Sequence, residues 1–374
     1  MPSPQTEKKS GNKNLTNAKK AKNDEFYTQY QDIGKEMNAY LEYNPDVFRG
    51  KTVLLPCDDP EWSNFTKFFA QNFERFGLRK LISTSYARDS KEYKDTLQLS
   101  LLEVNSPKYD KSKTDSRGKI YTLTEDKTGD GKVNFEDFDW EYLEGDGDFR
   151  SEEVKKLRDE ADIIITNPPF SLFREFLVWI VEANKQFVVV SNMNAITYKE
   201  VFPLIKENKI WMGVKSTSQA MFFRTSDKEY ASRVSNERPE GSWWRRIDEE
   251  VCIGINNSCW FTNLDHGRRH QILPLMTESD IIKFVTKTPF KKYDNYDAIE
   301  ISLVKNIPSD YDGIMGVPIS FLDKYNPEQF DILGATESEG RGFSNGLWDE
   351  TSKVSQPLIG GERVYKRIFI KHKK

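Results

Sequence analysis

Short apolar runs alternate with amphipathic segments through the first part of the chain. Residues 51–57 are rich in Val and Leu and end before an acidic, proline-containing turn, which predicts a buried strand followed by a loop. Residues 30–43 and 65–76 carry apolar side chains at helical spacing, and residues 80–85 predict a second strand. Strand, helix and strand in this order predict an α/β fold that begins as a doubly wound parallel sheet.

A polar, glycine-containing stretch at residues 103–148 interrupts this rhythm. Two strand-like segments flank a tight turn within it, so we interpret the stretch as a hairpin insertion. The isoleucine run at residues 163–165 is apolar throughout, as expected for a central parallel strand that is buried on both faces. The elements predicted after the insertion are a helix at 152–160, a strand at 162–166, a helix at 172–183 and a strand at 186–191.

Aromatic side chains become frequent from about residue 209, and the regular alternation weakens. Residues 251–255 and 260–264 predict an antiparallel strand pair at a sheet edge. Beyond residue 265 the Gly, Pro and Tyr content rises and helical periodicity is lost. The chain is therefore expected to have three parts: a flexible basic tail at residues 1–22, a core at 23–265 and a second region at 266–374.

Composition narrows the class of protein. Of the 374 residues, 37% are hydrophobic and 13% aromatic, which is enough for a buried core. Residues 1–22 have no apolar stretch and are expected to be a tail rather than a secretory signal. No run approaches the roughly 20 apolar residues that a membrane span needs, so no membrane partner is expected. Three cysteines give no disulfide framework, which favours a reducing cytoplasm.

The formal net charge of −4 argues against a surface that binds polyanions everywhere. A protein that acts on a nucleic acid must then concentrate its positive charge locally. A solvated face is an equally acceptable interpretation of any one basic cluster. The candidate residues for contact with nucleic acid are Arg245, Arg246, Arg268, Arg269, Arg363, Lys366 and Arg367.

The tetrapeptide Asn167-Pro168-Pro169-Phe170 lies between a predicted strand and a predicted helix. In an open α/β sheet, loops at the carboxyl ends of the strands form the ligand crevice. The exocyclic amine of adenine is a poor nucleophile because its lone pair is delocalised into the ring. An Asn side-chain carbonyl and a Pro main-chain carbonyl can each accept a hydrogen bond from that amine, which frees the lone pair for attack on a sulfonium methyl.

The other residues of the loop suit the same task. Proline lacks an N–H donor and has a fixed φ, so two prolines leave a stiff loop that presents acceptors. Phe170 offers a flat face on which a base turned out of a duplex can stack. The alternative is a Pro-Pro turn that ends a strand and starts a helix, with Asn167 as the helix cap.

The chain resembles the EcoRI-type adenine-specific DNA methyltransferases over most of its length. The segments that carry the resemblance are 23–28 (NDEFYT), 54–65 (LLPCDDPEWSNF), 147–151 (GDFRS), the Asn-Pro-Pro-Phe loop, 259–266 (CWFTNLDH), 315–318 (MGVP) and 363–369 (RVYKRIF).

The resemblance implies a Rossmann-like, S-adenosylmethionine-dependent methyltransferase core and a target-recognition region in the C-terminal part. It assigns Asn167, Pro168, Pro169 and Phe170 to catalysis. It also implies that Phe26, Tyr27 and Thr28 line the methionine end of the cofactor. In the resemblance, Pro56, Asp58 and Asp59 bind the cofactor after the first strand, while Asp148 and Phe149 contact its adenine.

Two features of such cofactor sites are missing from this sequence. No Gly-rich turn follows the first strand between Cys57 and Phe65. The acidic residue expected on the ribose hydroxyls after the second strand is replaced by Thr84-Ser85-Tyr86. The first-loop contacts therefore stay open, and no residue is assigned to the ribose.

Two further motifs resemble metal sites. Residues 126–137 have the spacing of a calcium loop, but position twelve is Asp137 rather than a bidentate Glu, and a solvated hairpin turn explains the same residues. Cys252, Cys259, His266 and His270 resemble a zinc set, although the cysteine spacing is wider than in structural zinc sites. We therefore expect no metal site, and calcium at the first motif stays open.

The expected activity is methyl transfer from S-adenosylmethionine to N6 of adenine in a specific double-stranded DNA sequence after base flipping. Methylation of RNA adenine or of a protein glutamine amide remains an alternative, because the loop suits any planar amine. A non-catalytic DNA-binding module is a second alternative. By resemblance the target is GAATTC-like. We expect a cytoplasmic, bacterial or phage-encoded monomer or weak dimer. Whether a cognate restriction endonuclease shares the site stays open, and no stable complex with one is expected.

Overall fold

The computed structural model describes residues 26–57, 63–87, 106–215, 219–225, 227–336 and 357–373. The strands are β1 Phe26–Thr28, β2 Thr52–Leu55, β3 Lys80–Ser85, β4 Lys119–Leu123, β5 Asp139–Tyr142, β6 Ile163–Thr166, β7 Gln186–Asn192, β8 Trp211–Met212, β9 Met221–Thr225, β10 Trp244–Ile247, β11 Glu250–Ile255, β12 Ser258–Thr262, β13 Ile299–Glu300, β14 Met315–Pro318, β15 Phe330–Ala335, β16 Leu358–Ile359, β17 Glu362–Arg363 and β18 Arg367–His372. The α-helices are α1 Tyr30–Tyr43, α2 Asn64–Gln71, α3 Phe73–Phe76, α4 Lys111–Thr114, α5 Glu152–Glu160, α6 Phe173–Glu182, α7 Phe202–Lys206, α8 Lys228–Glu237 and α9 Glu278–Ile281.

Eight strands form a mixed central sheet in the order β5-β4-β3-β2-β6-β7-β12-β8. Strands β3, β2, β6 and β7 are parallel to their neighbours in this group. Antiparallel strands continue the sheet at both sides, β4 and β5 beside β3, and β12 and β8 beside β7. The predicted mixed α/β class is confirmed. From β2 the chain adds β3 on one side, and β6 and β7 then follow on the other side, so the strand order reverses between β2 and β6, where a ligand crevice is expected.

The central strands are buried on both faces because helices cover both faces. Alternate residues of one strand point to opposite faces. Ile163 and Ile165 thus pack in the cluster that contains the aromatic side chains of α2 and α3, while Ile164 packs in the cluster that contains Phe176 of α6. All four residues of β6 are buried, which is why its sequence is apolar without alternation.

The stretch interpreted as a hairpin insertion contributes two strands to the central sheet. Strands β4 and β5 pair antiparallel, and β4 also pairs with β3. The turn between them is held by its own acids: the Asp126 carboxylate accepts hydrogen bonds from the backbone N–H groups of Gly129 (2.7 Å) and Gly131 (2.9 Å). The Asp137 carboxylate, which is buried, accepts from the N–H groups of Thr128 and Asn134.

The predicted pairing of residues 251–255 with residues 260–264 is wrong. Strand β11 pairs with β9 and β10 in a separate sheet of order β1-β9-β11-β10, whereas β12 lies between β7 and β8 of the central sheet. All five residues of β12 are buried, so this strand needs neighbours on both sides and both faces covered, which a hairpin at a sheet edge could not provide.

The C-terminal part contains a sheet of order β13-β14-β18-β15. Apolar side chains of this sheet, including Val317 and Ile370, belong to the same hydrophobic cluster as Phe202 of α7 and Phe176 of α6. One core therefore extends across residue 265, and the predicted division into a core and a target-recognition region stays a prediction.

A buried carboxylate ties the first helix to the end of β8. Glu36 is 1% exposed, and its carboxylate accepts hydrogen bonds from the Tyr40 hydroxyl (2.8 Å) and from the N–H groups of Val214 (2.9 Å) and Lys215 (3.1 Å). Burial outweighs these hydrogen bonds and raises the pKa of Glu36 to about 7. Gly213 carries no side chain because a Cβ there would collide with this carboxylate.

We predict a pH-dependent stability that Glu36→Gln removes. Since the folded-state pKa lies above the unfolded value, the stability that the protonated carboxyl contributes is present below pH 4.5 and is lost as the pH rises through about 7. Urea unfolding at pH 5 and pH 8 should show that the wild type loses up to about 3 kcal/mol relative to the variant. Glu42→Gln, at an exposed position of the same helix, is the control; equal pH dependence of wild type and Glu36→Gln would contradict the prediction.

Candidate functional site

The carboxyl ends of β2, β3 and β6 meet at one edge of the central sheet. Pro56 and Cys57 follow β2, and Cys57 has a φ of 67°, a left-handed conformation that usually favours glycine. The Thr166 hydroxyl at the end of β6 donates a hydrogen bond to the Pro56 carbonyl (2.5 Å). The two central loops are thereby fixed against each other one residue before Asn167, where the strand order reverses.

The Asn167–Phe170 loop lies at this edge. Pro168 is buried and the other three residues are half-buried, and the Asn167 Oδ1 atom is itself buried. A 3-10 turn follows at Phe170–Leu172, and its N-cap is Pro169; the N-cap of α6 is Leu172. Asn167 is therefore not the helix cap that the alternative interpretation requires.

Residues 26–28 form the edge strand β1 beside the same loop. Thr28 pairs with Phe223 of β9, and the Phe223 ring packs edge-on against Phe170 with centroids 6.4 Å apart. The Thr28 carbonyl accepts a hydrogen bond from Asn64 Nδ2 (2.8 Å) at the start of α2. The structure thus brings Tyr27 and Thr28 close to the Asn167–Phe170 loop, although 139 residues separate Thr28 from Asn167.

Two buried hydroxyls near this edge lack hydrogen-bond partners. Thr28 is 2% exposed and Thr84, near the end of β3, is 1% exposed. Neither Oγ1 atom has a hydrogen-bond partner among the described residues. A buried hydroxyl without a partner is costly, so both atoms are suited to a polar ligand at this edge.

The Asp148-Phe149 loop lies beside the end of β3. The Ala87 N–H donates to the Asp146 carbonyl (2.8 Å), and a Cβ on Gly147 (φ 87°) would collide with the Ser85 carbonyl. The Asp148 carboxylate is half-buried and forms an ion pair with Arg150 (2.6 Å). Asp148 therefore lies at the site edge with its charge partly neutralised.

Phe149 points into the core. It is 1% exposed, and its ring packs edge-to-face against Phe176 (5.1 Å) and Trp179 (5.6 Å). The expected stacking of this ring on the cofactor adenine therefore stays a prediction, and the structure presents Phe149 as a side chain that anchors the loop. Asp58 and Asp59 lie outside the described residues.

Tyr86 is a site residue that the sequence analysis left without a role. It follows β3, and the Cys57 thiol donates a hydrogen bond to its hydroxyl at 3.8 Å. Burial, the neighbouring Cys57 and the Asp148 charge raise the pKa of Tyr86 well above its usual value, so the phenol stays protonated. The sequence could have indicated Tyr86 through its position directly after the second strand, where an acidic residue is expected in such cofactor sites.

The candidate basic residues fall into two groups. Arg245 and Arg246 are exposed on β10, Arg363 is exposed on β17, and Lys366 donates a hydrogen bond to the Thr197 hydroxyl (3.0 Å). The Arg245 guanidinium lies over the Phe222 ring, 4.7 Å from its centroid. These four residues remain accessible at the surface or at its edge.

The remaining three arginines are used within the protein. Arg268 forms an ion pair with Asp323 (2.7 Å). Arg269, 8% exposed, stacks on Trp211 with its guanidinium carbon 3.7 Å from the ring centroid. Arg367, also 8% exposed, forms a two-pronged ion pair with a buried carboxylate. Contact with DNA would compete with these internal partners, and the assignment of the three arginines to DNA contact stays a prediction.

The four residues of the possible zinc set belong to different strands or have different hydrogen-bond partners. Cys252 and Cys259 are buried in β11 and β12 of different sheets. His266 bonds to the Met212 carbonyl (2.9 Å), and His270 bridges the carboxylates of Asp265 and Glu328. Within the described ranges, no group of three or more His, Cys, Asp or Glu side chains could hold a metal ion.

None of the helices in the described part of the chain is long and apolar enough to cross a membrane.

Comparison with known proteins places the whole chain in one group. The model of the family described as "Adenine-specific methyltransferase EcoRI" matches residues 14–373. Type II methyltransferase M.EcoRI of Escherichia coli is 41% identical over 97% of both chains. Type II methyltransferase M.MgeORF184P of Mycoplasma genitalium is 33% identical over 95% of this chain and 97% of its own, and M.MpnI of Mycoplasma pneumoniae is 35% identical over 84% and 83%. No solved structure matches the chain.

We predict that Gly147→Ala destabilises the protein and Gly145→Ala does not. At position 147 the added methyl meets the Ser85 backbone and φ is 87°, whereas at position 145 it meets open space. The strained variant should lose about 2 kcal/mol or more of unfolding free energy in urea titrations. Equal stability of the two variants would contradict the close packing of this loop against β3.

Proposed function

The chain belongs to the family of the adenine-specific methyltransferase EcoRI, and we propose that its Asn167–Phe170 loop positions the adenine that is methylated. Membership makes the chain an adenine-specific DNA methyltransferase of the type II class. The finer assignment is methyl transfer from S-adenosylmethionine to N6 of adenine in a specific double-stranded sequence. The observation that supports it is the position of this loop where the strand order reverses, between β2 and β6. A hydrogen bond from Thr166 holds the start of the loop against the end of β2.

The loop supplies acceptors where the amine must be held. The Asn167 Oδ1 atom and the Pro168 carbonyl each accept one hydrogen bond from the adenine amine. Two acceptors draw the nitrogen towards tetrahedral geometry and free its lone pair, so that no strong base is needed before transfer. Because Thr166 is hydrogen-bonded to the Pro56 carbonyl, the acceptors are fixed in place before the substrate arrives.

The edge formed by β1, β2 and β3 suits S-adenosylmethionine. When bound, this cofactor supplies an electrophilic sulfonium methyl group. The hydroxyls of Thr28 and Thr84, which lack a hydrogen-bond partner among the described residues, suit its polar atoms. We assign Tyr27, Pro56 and Asp148 to the same site. Together with the parallel strands β3, β2, β6 and β7, this arrangement supports a Rossmann-like core. The assignment of Phe26, Asp58, Asp59 and Phe149 to the cofactor site stays a prediction from the resemblance.

Phe170 supports the turned-out base. An adenine inside a duplex cannot reach a loop in a crevice, so the base must leave the stack. The Phe170 ring is half-buried and packs edge-on against Phe223, which holds its plane in one orientation. The basic residues that we retain for contact with the phosphates are Arg245, Arg246, Arg363 and Lys366.

The alternative functions differ in the substrate that would be methylated. Methylation of RNA adenine or of a glutamine amide would use the same loop, and a non-catalytic module would bind DNA without transfer. A GAATTC-like target, a cognate endonuclease and a monomeric or weakly dimeric state remain proposals. Incubation with labelled S-adenosylmethionine and equal amounts of duplex DNA, RNA or protein should place the label in DNA; label in RNA or protein alone would overturn the choice of DNA.

We predict that Asn167→Ala reduces kcat at least about a hundredfold, because removal of one preorganised polar partner of the reacting group costs that much in comparable sites. The affinity for S-adenosylmethionine, measured by calorimetry, should change less than about threefold. The matched control is Asn236→Ala, at an exposed position of α8. Near-normal turnover by Asn167→Ala would falsify the role given to this side chain.

A further inference from the structure

A buried polar network fixes the segment that enters β18. Glu300 and Arg367 are each 8% exposed, and the guanidinium binds both carboxylate oxygens, at 2.6 and 3.0 Å. The Tyr293 hydroxyl donates to the same carboxylate. Burial opposes the charge of Arg367 while this carboxylate favours it, and the net result is a raised pKa of Arg367, so the guanidinium stays charged. An ion pair with such partners is held in one geometry.

The same guanidinium orders the two residues before it. Arg367 Nη1 donates hydrogen bonds to the carbonyls of Tyr365 and Lys366, both at 3.1 Å. The Arg367 N–H also donates to the Thr336 hydroxyl (2.8 Å) at the end of β15. The backbone at residues 365–367 is therefore fixed from the inside of the sheet, although it lies at its end.

Lys366 connects this end to the catalytic edge. Its Nζ atom lies 3.0 Å from the Thr197 hydroxyl, in the 3-10 turn Met193–Thr197 that follows β7. Strands β6 and β7 are parallel neighbours, so the turn after β7 lies at the same edge as the Asn167–Phe170 loop. The next residue, Tyr198, stacks with Arg174 of α6, whose guanidinium carbon is 3.9 Å from the ring centroid.

Tyr365 is exposed on this fixed backbone. It is 69% exposed, the highest value among the exposed tyrosines Tyr30, Tyr43 and Tyr365. Two cationic residues, Arg363 and Lys366, are close to it in sequence. An exposed aromatic ring offers a flat surface on which a base can stack, and ordering its backbone reduces the entropy lost on binding.

We propose that Tyr365 contacts the DNA duplex and stacks in the space that the target adenine vacates. This inference rests on the proposed function, since it requires an adenine that leaves the helix. Extrusion of a base breaks its stacking, and a flat side chain that enters the gap restores part of it. Arg363 binds a neighbouring phosphate, Lys366 holds the segment against the turn after β7, and the Glu300–Arg367 ion pair fixes the backbone that carries the ring.

The test uses a fluorescent base in the full-length protein. The recognition sequence is first mapped from methylated DNA, and 2-aminopurine then replaces the target adenine in a duplex of that sequence. With the wild type, the fluorescence of the probe should rise on binding, because the base leaves the stack. Tyr365→Ala should bind this duplex at least about fivefold more weakly, the effect of losing one stacked ring, and should lose more than half of the fluorescence increase.

Two variants are matched controls. Tyr365→Phe keeps the ring and should retain both affinity and fluorescence increase. Phe284→Ala removes another exposed ring (62%) with a lysine nearby, in the helical turn Ile282–Thr286, and should also behave as the wild type. Thermal unfolding establishes that each variant is folded, and Tyr365→Leu replaces the alanine variant if that one is not.

The outcomes separate the inference from the function on which it rests. An unchanged affinity and fluorescence increase in Tyr365→Ala, or an equal loss in Phe284→Ala, would overturn the role of Tyr365 while methylation and base extrusion stand. A loss in Tyr365→Phe equal to that in Tyr365→Ala would replace stacking by a hydroxyl contact. A wild-type protein that produces no fluorescence increase would contradict base extrusion itself, and with it the proposed mechanism.

Discussion

The hydrogen bond from the Thr166 hydroxyl to the Pro56 carbonyl joins the ends of β6 and β2. These two strands are parallel neighbours, and the order of the strands in the sheet reverses between them. In the proposed mechanism this bond holds the acceptors of the Asn167–Phe170 loop beside the loop after β2, which we assign to the cofactor. Methyl transfer needs both reactants within bonding reach, so the relative position of these two loops sets the geometry of the reaction. In the proposed mechanism the Asn167–Phe170 loop can serve methyl transfer only because it lies beside the loop after β2.

The apolar pattern is sufficient to predict the central strands, and with them the position of the Asn167–Phe170 loop at the end of β6. Strands β2, β3, β6 and β7 are buried on both faces, and their runs of Val, Leu and Ile contain that information locally. The pairing of β11 and β12 could not be predicted, because it depends on which distant strand lies next to each of them. The contact between Thr28 and Phe223 is of the same kind, since nothing local connects residues so far apart.

Charge was the least informative property of the sequence. The sequence alone suggests that Arg268, Arg269 and Arg367 bind DNA. In the structure each of them has an acidic or aromatic partner within the protein. An exposed cation and an internal one have the same sequence signature. In the C-terminal part Arg367 holds the backbone that presents Tyr365 and Lys366, so in our proposal it acts on DNA binding through the residues that it positions.

The account makes the amine of adenine the group that receives the methyl, and nucleoside mass spectrometry tests this directly. DNA treated with the protein and S-adenosylmethionine is digested to nucleosides, and the methylated products are identified by mass and retention. The structure and the family predict N6-methyl-2′-deoxyadenosine as the methylated product. N4-methyl-2′-deoxycytidine, 5-methyl-2′-deoxycytidine or unmodified DNA would contradict the assignment of the Asn167–Phe170 loop to an adenine amine.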